Sequence, residues 1–171
     1  MNTIFQRWFF VLHVLAYHFV QCRWQYAAVV AVYLIFKANF ILAINVSDSL
    51  PNRAFLVAKG QTPDQKGQYV AYRWDKDAFY KPSDMMVKMV GGVAGQSVVV
   101  INADVYVDGD WVGTAKKASK HGIPLSPIEA GQIPPNQLFA KASHLDSLDS
   151  RYSVTGLIGQ SRVIGRAYAI F

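Results

Sequence analysis

Two serines and a lysine are the residues of this chain whose types and spacing first suggest chemistry. A hydroxyl can attack a carbonyl carbon, and a neutral amine can accept a proton. Ser47 and Ser49 are two positions apart and precede Pro51, which suits a short extended segment with both hydroxyls on one side. The alternative is a plain turn that leads from an apolar helix into a domain.

The lysine, Lys88, lies in the apolar run 85–90, MMVKMV. Strand alternation would place it on one face with Met86 and Val90, so that apolar side chains surround its amine. Desolvation disfavours the charged form and lowers the pKa of a lysine, as a neutral general base near pH 7 requires. The alternative is a lysine that protects an edge strand from aggregation.

A polar stretch near the C-terminal end, residues 147–151 with the sequence SLDSR, contains further candidates. By itself it could be a turn in which Asp149 and Arg151 form a surface ion pair, which contributes little stability. His144 lies near two aspartates, but a single histidine in a polar turn is more often solvated, and no second histidine follows at ligand spacing. We therefore predict no metal and no cofactor.

The serines follow directly after a strongly apolar first quarter of the chain. Residues 26–44 form about 19 mostly apolar positions, which approach the thickness of a bilayer core, and we predict a transmembrane helix there. Residues 4–20 are apolar but interrupted by charged and histidine side chains, and they form either a first span or an interfacial helix. Arginines before the span favour a cytoplasmic start, which places Ser49 on the outer face. Residues 1–44 are then a membrane anchor and residues 45–171 an outer-face domain.

Beyond residue 53 the chain alternates between short apolar runs and turn residues, which is typical of strands. Asp108-Gly109 predicts a two-residue hairpin turn, because both residues tolerate a positive φ. Gly91-Gly92 and Gly95 predict another reversal. We predict strands at 54–59, 68–74, 85–90, 97–102, 105–112, 137–140 and 162–171. The predicted fold class is a mainly β domain with an N-terminal transmembrane helix or helical hairpin.

Composition and charge exclude some classes of function. The hydrophobic fraction of 52% is high for a soluble protein, and the excess lies before Asn45. The net charge of +6 is not gathered into an arginine-rich helix, so we predict a lipid bilayer as a partner and not nucleic acid. The single cysteine, Cys22, excludes an intramolecular disulfide.

Three motifs resemble those of the type I signal peptidases, which are serine–lysine membrane proteases. Residues 88–96, KMVGGVAGQ, align without a gap with the family motif Lys-Arg-Val-Val-Gly-Leu-Pro-Gly-Asp but keep only the lysine, one valine and two glycines. Residues 147–152, SLDSRY, resemble Ser-Xaa-Asp-Ser-Arg-Tyr, although the family's preceding Gly-Asp-Asn is missing. One residue separates Ser49 from Pro51, as in the conjugative pilin-maturation branch, whereas housekeeping signal peptidases have two.

The resemblance implies a role for each candidate residue. Ser49 would be the nucleophile, and Lys88 would take its proton. Ser147 would hydrogen-bond the lysine and orient it. The Ser47 hydroxyl and the Ser49 backbone N–H would form an oxyanion hole. Asp149 would be either a third catalytic residue, as in the conjugative branch, or, with Arg151, a support of the site.

The resemblance also implies a signal-peptidase-like fold and a membrane-anchored serine endopeptidase. It would lie in the bacterial inner membrane, with its catalytic domain on the periplasmic face, and process a membrane-bound preprotein, the precursor of a conjugative pilin. Water or an amine can resolve the acyl-enzyme, so hydrolysis and head-to-tail cyclisation both stay open. The alternative is a catalytically inactive β-domain that binds pilus or secretion subunits.

Overall fold

The chain folds as two units, Met1–Asn39 and Phe40–Phe171, and the computed structural model describes residues 3–171. The first unit consists of helix α1, Thr3–Gln21, and helix α2, Arg23–Asn39. Among the described residues no single helix is both long and apolar enough to span a bilayer. The bent pair Arg7–Gln21 and Arg23–Asn39, at 67°, meets both criteria together, by length and composition alone.

The predicted helix over residues 26–44 is wrong at its C-terminal end. Helix α2 ends at Asn39, and Phe40–Ile44 form strand β1, which pairs antiparallel with strand β2, Ala54–Lys59. A short apolar run suits a buried helix and a strand equally well, and the pairing with β2 decides in favour of the strand. The β-unit therefore begins five residues before the predicted boundary.

The second unit is mainly β, and the predicted fold class is confirmed. All its named strands pair antiparallel. A short 3-10 helix, Gln160–Arg162, precedes the last strand. After β1 and β2 the strands are β3 Tyr69–Arg73, β4 Met85–Gly92, β5 Ser97–Ile101, β6 Asp104–Val107, β7 Asp110–Thr114, β8 Gly131–Gln132, β9 Gln137–Lys141, β10 Ile158–Gly159 and β11 Val163–Ala169.

The strands form two sheets. The larger sheet has the order β1-β2-β11-β3-β4-β9-β10, and the smaller has the order β7-β6-β5-β8. Apolar clusters cover both faces of the larger sheet, since Val70 and Tyr72 of β3 belong to one cluster and Ala71 to another. A third cluster, which includes Val105 and Phe139, packs beneath the smaller sheet.

The predicted hairpin turn is present, and the predicted glycine reversal is displaced. Asp108 and Gly109 have φ values of 56° and 84° and connect β6 to β7. Gly91 and Gly92 belong to β4, and the chain reverses after them, where Gly95 has a φ of 86°. An added Cβ at Gly92 would lie 2.6 Å from a Val107 methyl group, so this glycine permits close packing of the two sheets rather than a turn.

Candidate active site

The loop between β1 and β2 holds both candidate serines, and Asn45 organises it. The Asn45 amide nitrogen donates to the carbonyl oxygens of Leu50 at 3.3 Å and Asn52 at 3.1 Å. Its side-chain oxygen accepts the Ser47 backbone N–H at 3.2 Å. The Asn45 backbone N–H donates to the Arg53 carbonyl at 2.7 Å, which closes the loop at its base. Asparagine side chains bond in this way to nearby backbone, and here one amide fixes both ends of the serine segment.

The hydroxyls of Ser47 and Ser49 lie 3.0 Å apart on one side of the loop. The predicted extended segment is wrong, because residues 47–50 form a turn. Ser49 is buried with 7% exposure, whereas Ser47 is exposed. The Ser47 oxygen is also 3.0 Å from the Asn45 side-chain oxygen, and one hydroxyl proton serves one of these two contacts at a time. The Ser143 N–H donates to the Ser49 carbonyl at 3.0 Å and fixes the backbone of the candidate nucleophile.

Lys88 lies on β4 with its side chain 2% exposed. Its strand neighbours Met86 and Val90 pack in one apolar cluster, and Val70 of β3 stands opposite it in register. Burial lowers the pKa of Lys88 from 10.5 to about 8, while the Asp149 charge raises this pKa and the Arg151 charge lowers it. The alternative of a solvent-facing lysine on an edge strand is wrong, because β4 lies between β3 and β9.

Ser147 accepts a hydrogen bond from the Lys88 amine, with 2.7 Å between Nζ and Oγ. The two residues come from parts of the sequence 59 positions apart. Ser49 and Lys88 line one cleft of about 310 Å³, together with Ser47. The structure thus brings four of the predicted site residues to one place: a hydroxyl pair on a loop, a buried amine, and the hydroxyl that holds it.

Asp149 and Arg151 form a buried ion pair. The alternative prediction, a surface ion pair in a polar turn, is therefore wrong. Asp149 is 0% exposed and Arg151 1%. The Arg151 Nε lies 2.9 and 3.1 Å from the two carboxylate oxygens, and its backbone N–H donates to one of them at 3.0 Å. The Ala142 N–H donates to the other at 2.8 Å. These bonds occupy both carboxylate oxygens, which favours the supporting role of Asp149 over proton transfer.

The Arg151 guanidinium carries this support to the turn that contains Ser147. Its Nη2 donates to the carbonyl oxygens of His144 and Ser147, each at 3.3 Å, and its Nη1 donates to the Thr114 carbonyl at 3.4 Å. The ion pair therefore fixes the backbone of Ser147, whose hydroxyl accepts the hydrogen bond from Lys88.

The sequence alone predicts no role for two residues of this arrangement, Asn45 and Gly113. The Asn45 bonds to the loop backbone follow only from the folded loop. Gly113 has a φ of 137°, and an added Cβ would lie 2.7 Å from the Arg151 Nη1, so only glycine leaves room for the guanidinium. No local signal marks either residue, because both act on partners that the fold brings near.

His144 does not line the cleft that contains Lys88. It lines a separate depression of about 520 Å³ on the serine loop, and its Nδ1 accepts the Asp146 N–H at 3.1 Å. Within residues 3–171, no group of three or more histidine, cysteine or acidic side chains could hold a metal ion.

The chain belongs to the signal peptidase family, peptidase S26, whose model matches residues 10–171. The sequence is also 28% identical over 145 residues to the conjugal transfer protein TraF of Agrobacterium fabrum, covering 75% of this chain and 81% of that protein. The predicted resemblance to the family and to its conjugative branch is confirmed.

A signal peptidase I from Enterococcus faecalis superposes with a TM-score of 0.39 and 17% sequence identity, over 63% of this chain and 98% of that chain.

Proposed function

We propose that this chain is a serine endopeptidase in which Ser49 attacks the scissile carbonyl and Lys88 acts as the general base. The observation that carries the proposal is the position of Lys88: a buried amine with a pKa lowered to about 8 lines the same cleft as the hydroxyl of Ser49. At neutral pH about a tenth of such amines are unprotonated, which is enough for proton abstraction.

Each residue of the site has a step in this mechanism. The neutral Lys88 amine takes the Ser49 proton as the hydroxyl oxygen bonds to the carbonyl carbon. The Ser47 hydroxyl turns from Ser49 and Asn45 to the developing oxyanion, beside the Ser49 N–H. Protonated Lys88 then gives its proton to the leaving amine, and the acyl group stays on Ser49 as an ester. Ser147 holds the amine throughout, and Asp149 with Arg151 holds the turn of Ser147.

The surroundings of the site support a substrate that lies in a membrane. Leu42 and Ile44 alternate along β1 and are 60% and 72% exposed, and Val46, just beyond the strand, is 96% exposed. An apolar row that leads into the serine loop suits a lipid surface. Helix α2 contains no buried residue, which suits an anchor in the bilayer. We place the anchor in the bacterial inner membrane and the catalytic unit on its periplasmic face.

The similarity to a conjugal transfer protein supports a substrate from conjugation, and we propose a membrane-bound pilin precursor. Either water or the pilin's own N-terminal amine can resolve the Ser49 ester, so a linear and a cyclic product both fit this chemistry. The second candidate function is a β-domain that binds pilus subunits without cleaving them. The position of Lys88 favours the enzyme, because its buried amine bonds to Ser147 and lines the same cleft as Ser49.

The test is processing of the pilin precursor in cells that carry Ser49→Ala, Lys88→Ala or the matched control Ser161→Ala, a serine exposed on the 3-10 helix. We expect precursor to accumulate in the first two strains and mature pilin to form in the control. Normal maturation with Lys88→Ala would overturn the proposed mechanism. Intact-mass measurement of the mature pilin separates the two products, since a cyclic product is lighter by one water than the linear peptide.

A further inference from the structure

The cleft that contains Ser49 and Lys88 also receives two side chains from the loop that precedes β4. Tyr80 and Asp84 line it together with the apolar side chains of Met85, Met86 and Val87. Asp84 is the one acidic residue among the residues that line this cleft. Apart from Lys88, the other residues that line the cleft are apolar or neutral, so Asp84 is its one anionic group.

The loop is held rigidly by Trp74, which is 1% exposed. The indole N–H donates to the Ala78 carbonyl at 2.9 Å, and the Trp74 backbone bonds to Ser83 and Asp84 at 2.7 and 2.8 Å. The Tyr80 ring packs edge-on against the indole, with 5.4 Å between the ring centres. Both side chains that reach the cleft are therefore positioned before any substrate arrives, which lowers the entropy lost on binding.

The Asp84 carboxylate has capacity for a further partner. Its Oδ2 accepts the Lys81 backbone N–H at 3.0 Å, and Oδ1 has no hydrogen bond or ion pair among the described residues. Asp84 is also not the counter-ion of the lysine, because the charges that shift the Lys88 pKa are those of Asp149 and Arg151. The Tyr80 ring beside it can accept a cation on its face.

From this arrangement we infer that Asp84 and Tyr80 determine specificity, by selecting substrates that carry a cationic nitrogen near the scissile bond. Two sources share this chemistry: a lysine or arginine side chain, and a free N-terminal ammonium group. The inference rests on the proposed function and names a substrate feature for the same cleft. A substrate carboxylate at this position would be rejected by the like charge of Asp84.

The experiment compares kcat/KM for pairs of peptides in which lysine replaces methionine at one position near the scissile bond. The full-length protein is used in detergent micelles. At the position that meets Asp84 we expect the wild type to prefer lysine by about fivefold at low salt, the combined effect of one exposed ion pair and one cation–π contact. Asp84→Asn should bring the ratio close to one and still accept the Lys81 N–H, so that the loop keeps its shape. Asp84→Lys should make the enzyme prefer glutamate at that position.

The matched control is Asp77→Asn, which changes a carboxylate of the same loop that does not line the cleft. This variant should keep the preference for lysine.

A peptide series with free and acetylated N-termini separates the two sources, since a preference abolished by acetylation identifies the ammonium group. A lysine-to-methionine ratio near one in the wild type at every position, with no effect of acetylation, would overturn the inference. So would a preference that Asp84→Asn leaves unchanged. Cleavage that persists in Ser49→Ala would instead overturn the proposed mechanism, so the two failures are distinguishable.

Discussion

The Lys88 amine and the Ser147 hydroxyl form a 2.7 Å hydrogen bond between the middle of the large sheet and a turn near its far edge. This bond fixes the direction of a long side chain that otherwise has many rotamers. Arg151 in turn holds this turn in place, because its guanidinium donates to the carbonyl oxygens of residues 144 and 147. The direction of the Lys88 side chain therefore depends on the half-buried Ser147 and, through its turn, on the buried Arg151.

Ser147→Ala should reduce kcat strongly and change KM little. The variant removes the acceptor that aims the amine, so proton transfer slows by about 10- to 100-fold, while the substrate cleft keeps its lining. Steady-state kinetics on a peptide substrate measure both constants. Ser153→Ala, an exposed serine of the following turn, is the control and should behave as the wild type. A rise in KM at constant kcat would mean that Ser147 serves binding rather than orientation.

We expect kcat/KM to rise with pH along a single titration curve, the limb of the pH profile, with its midpoint near pH 8. Lys88 has its pKa lowered to about 8, chiefly by burial, and only the neutral amine can accept the Ser49 proton. Below the limb kcat/KM should change about tenfold per pH unit, and above it the rate should level off. The pH profile of His144→Ala should show the same limb. A limb near pH 6.5 that this substitution abolishes would give the base role to the histidine.

Lys88→Met should give an inactive protein that is more stable than the wild type at pH 7. The wild-type folded state has a Lys88 pKa of about 8 against 10.5 for the free side chain, so protonation of the buried amine costs of the order of 3 kcal/mol. The unfolded chain binds more protons between these two values, and wild-type stability therefore rises with pH there. Urea unfolding at pH 7 and pH 10 measures the stability difference between variant and wild type, which should narrow at the higher pH. A variant less stable than the wild type at pH 7 would show that the Ser147 bond outweighs desolvation.

Asp149→Asn and Arg151→Met should each destabilise the protein by about 3–5 kcal/mol, because each leaves one buried charge without its partner. Combining both changes should cost less than their sum. The two variants should also shift the pH limb in opposite directions: loss of the Asp149 charge lowers the Lys88 pKa further, and loss of the Arg151 charge raises it. Thermal unfolding and pH profiles of the three variants test this. Stability losses that add in the double variant, together with an unchanged pH profile, would contradict the proposed coupling of Asp149 and Arg151.

The strands and the site motifs could be predicted because both are local patterns. The predicted strand 54–59 matches β2 residue for residue, and the alternation around Lys88 placed it correctly with Met86 and Val90. The alternation of apolar and polar residues in a strand, and an Asp-Gly turn, can both be recognised from residues that are adjacent in sequence. Family motifs supplied the rest of the site, since they record residues that meet in space.

What could not be predicted depends on partners distant in sequence. Phe40–Ile44 continue the apolar pattern of α2 and become a strand only through pairing with β2. The burial of Asp149 and Arg151 follows from packing of the small sheet's edge, where Gly113 leaves room for the guanidinium. Neither the pairing order of the strands nor that vacant space has a signature within a single segment.

The strand order β1-β2-β11-β3-β4 also affects how the protein folds during its synthesis on the ribosome. Strand β11 follows all the other named strands in the chain, and it lies between the hairpin that contains the serine loop and the hairpin that carries Lys88. A ribosome delivers residues from the N-terminus onward, so both hairpins emerge before the strand that joins them into one sheet. A nascent chain that has not yet extended through residues 163–169 lacks the strand that joins the two hairpins, and under the proposed function it cannot yet cleave the proteins being made around it.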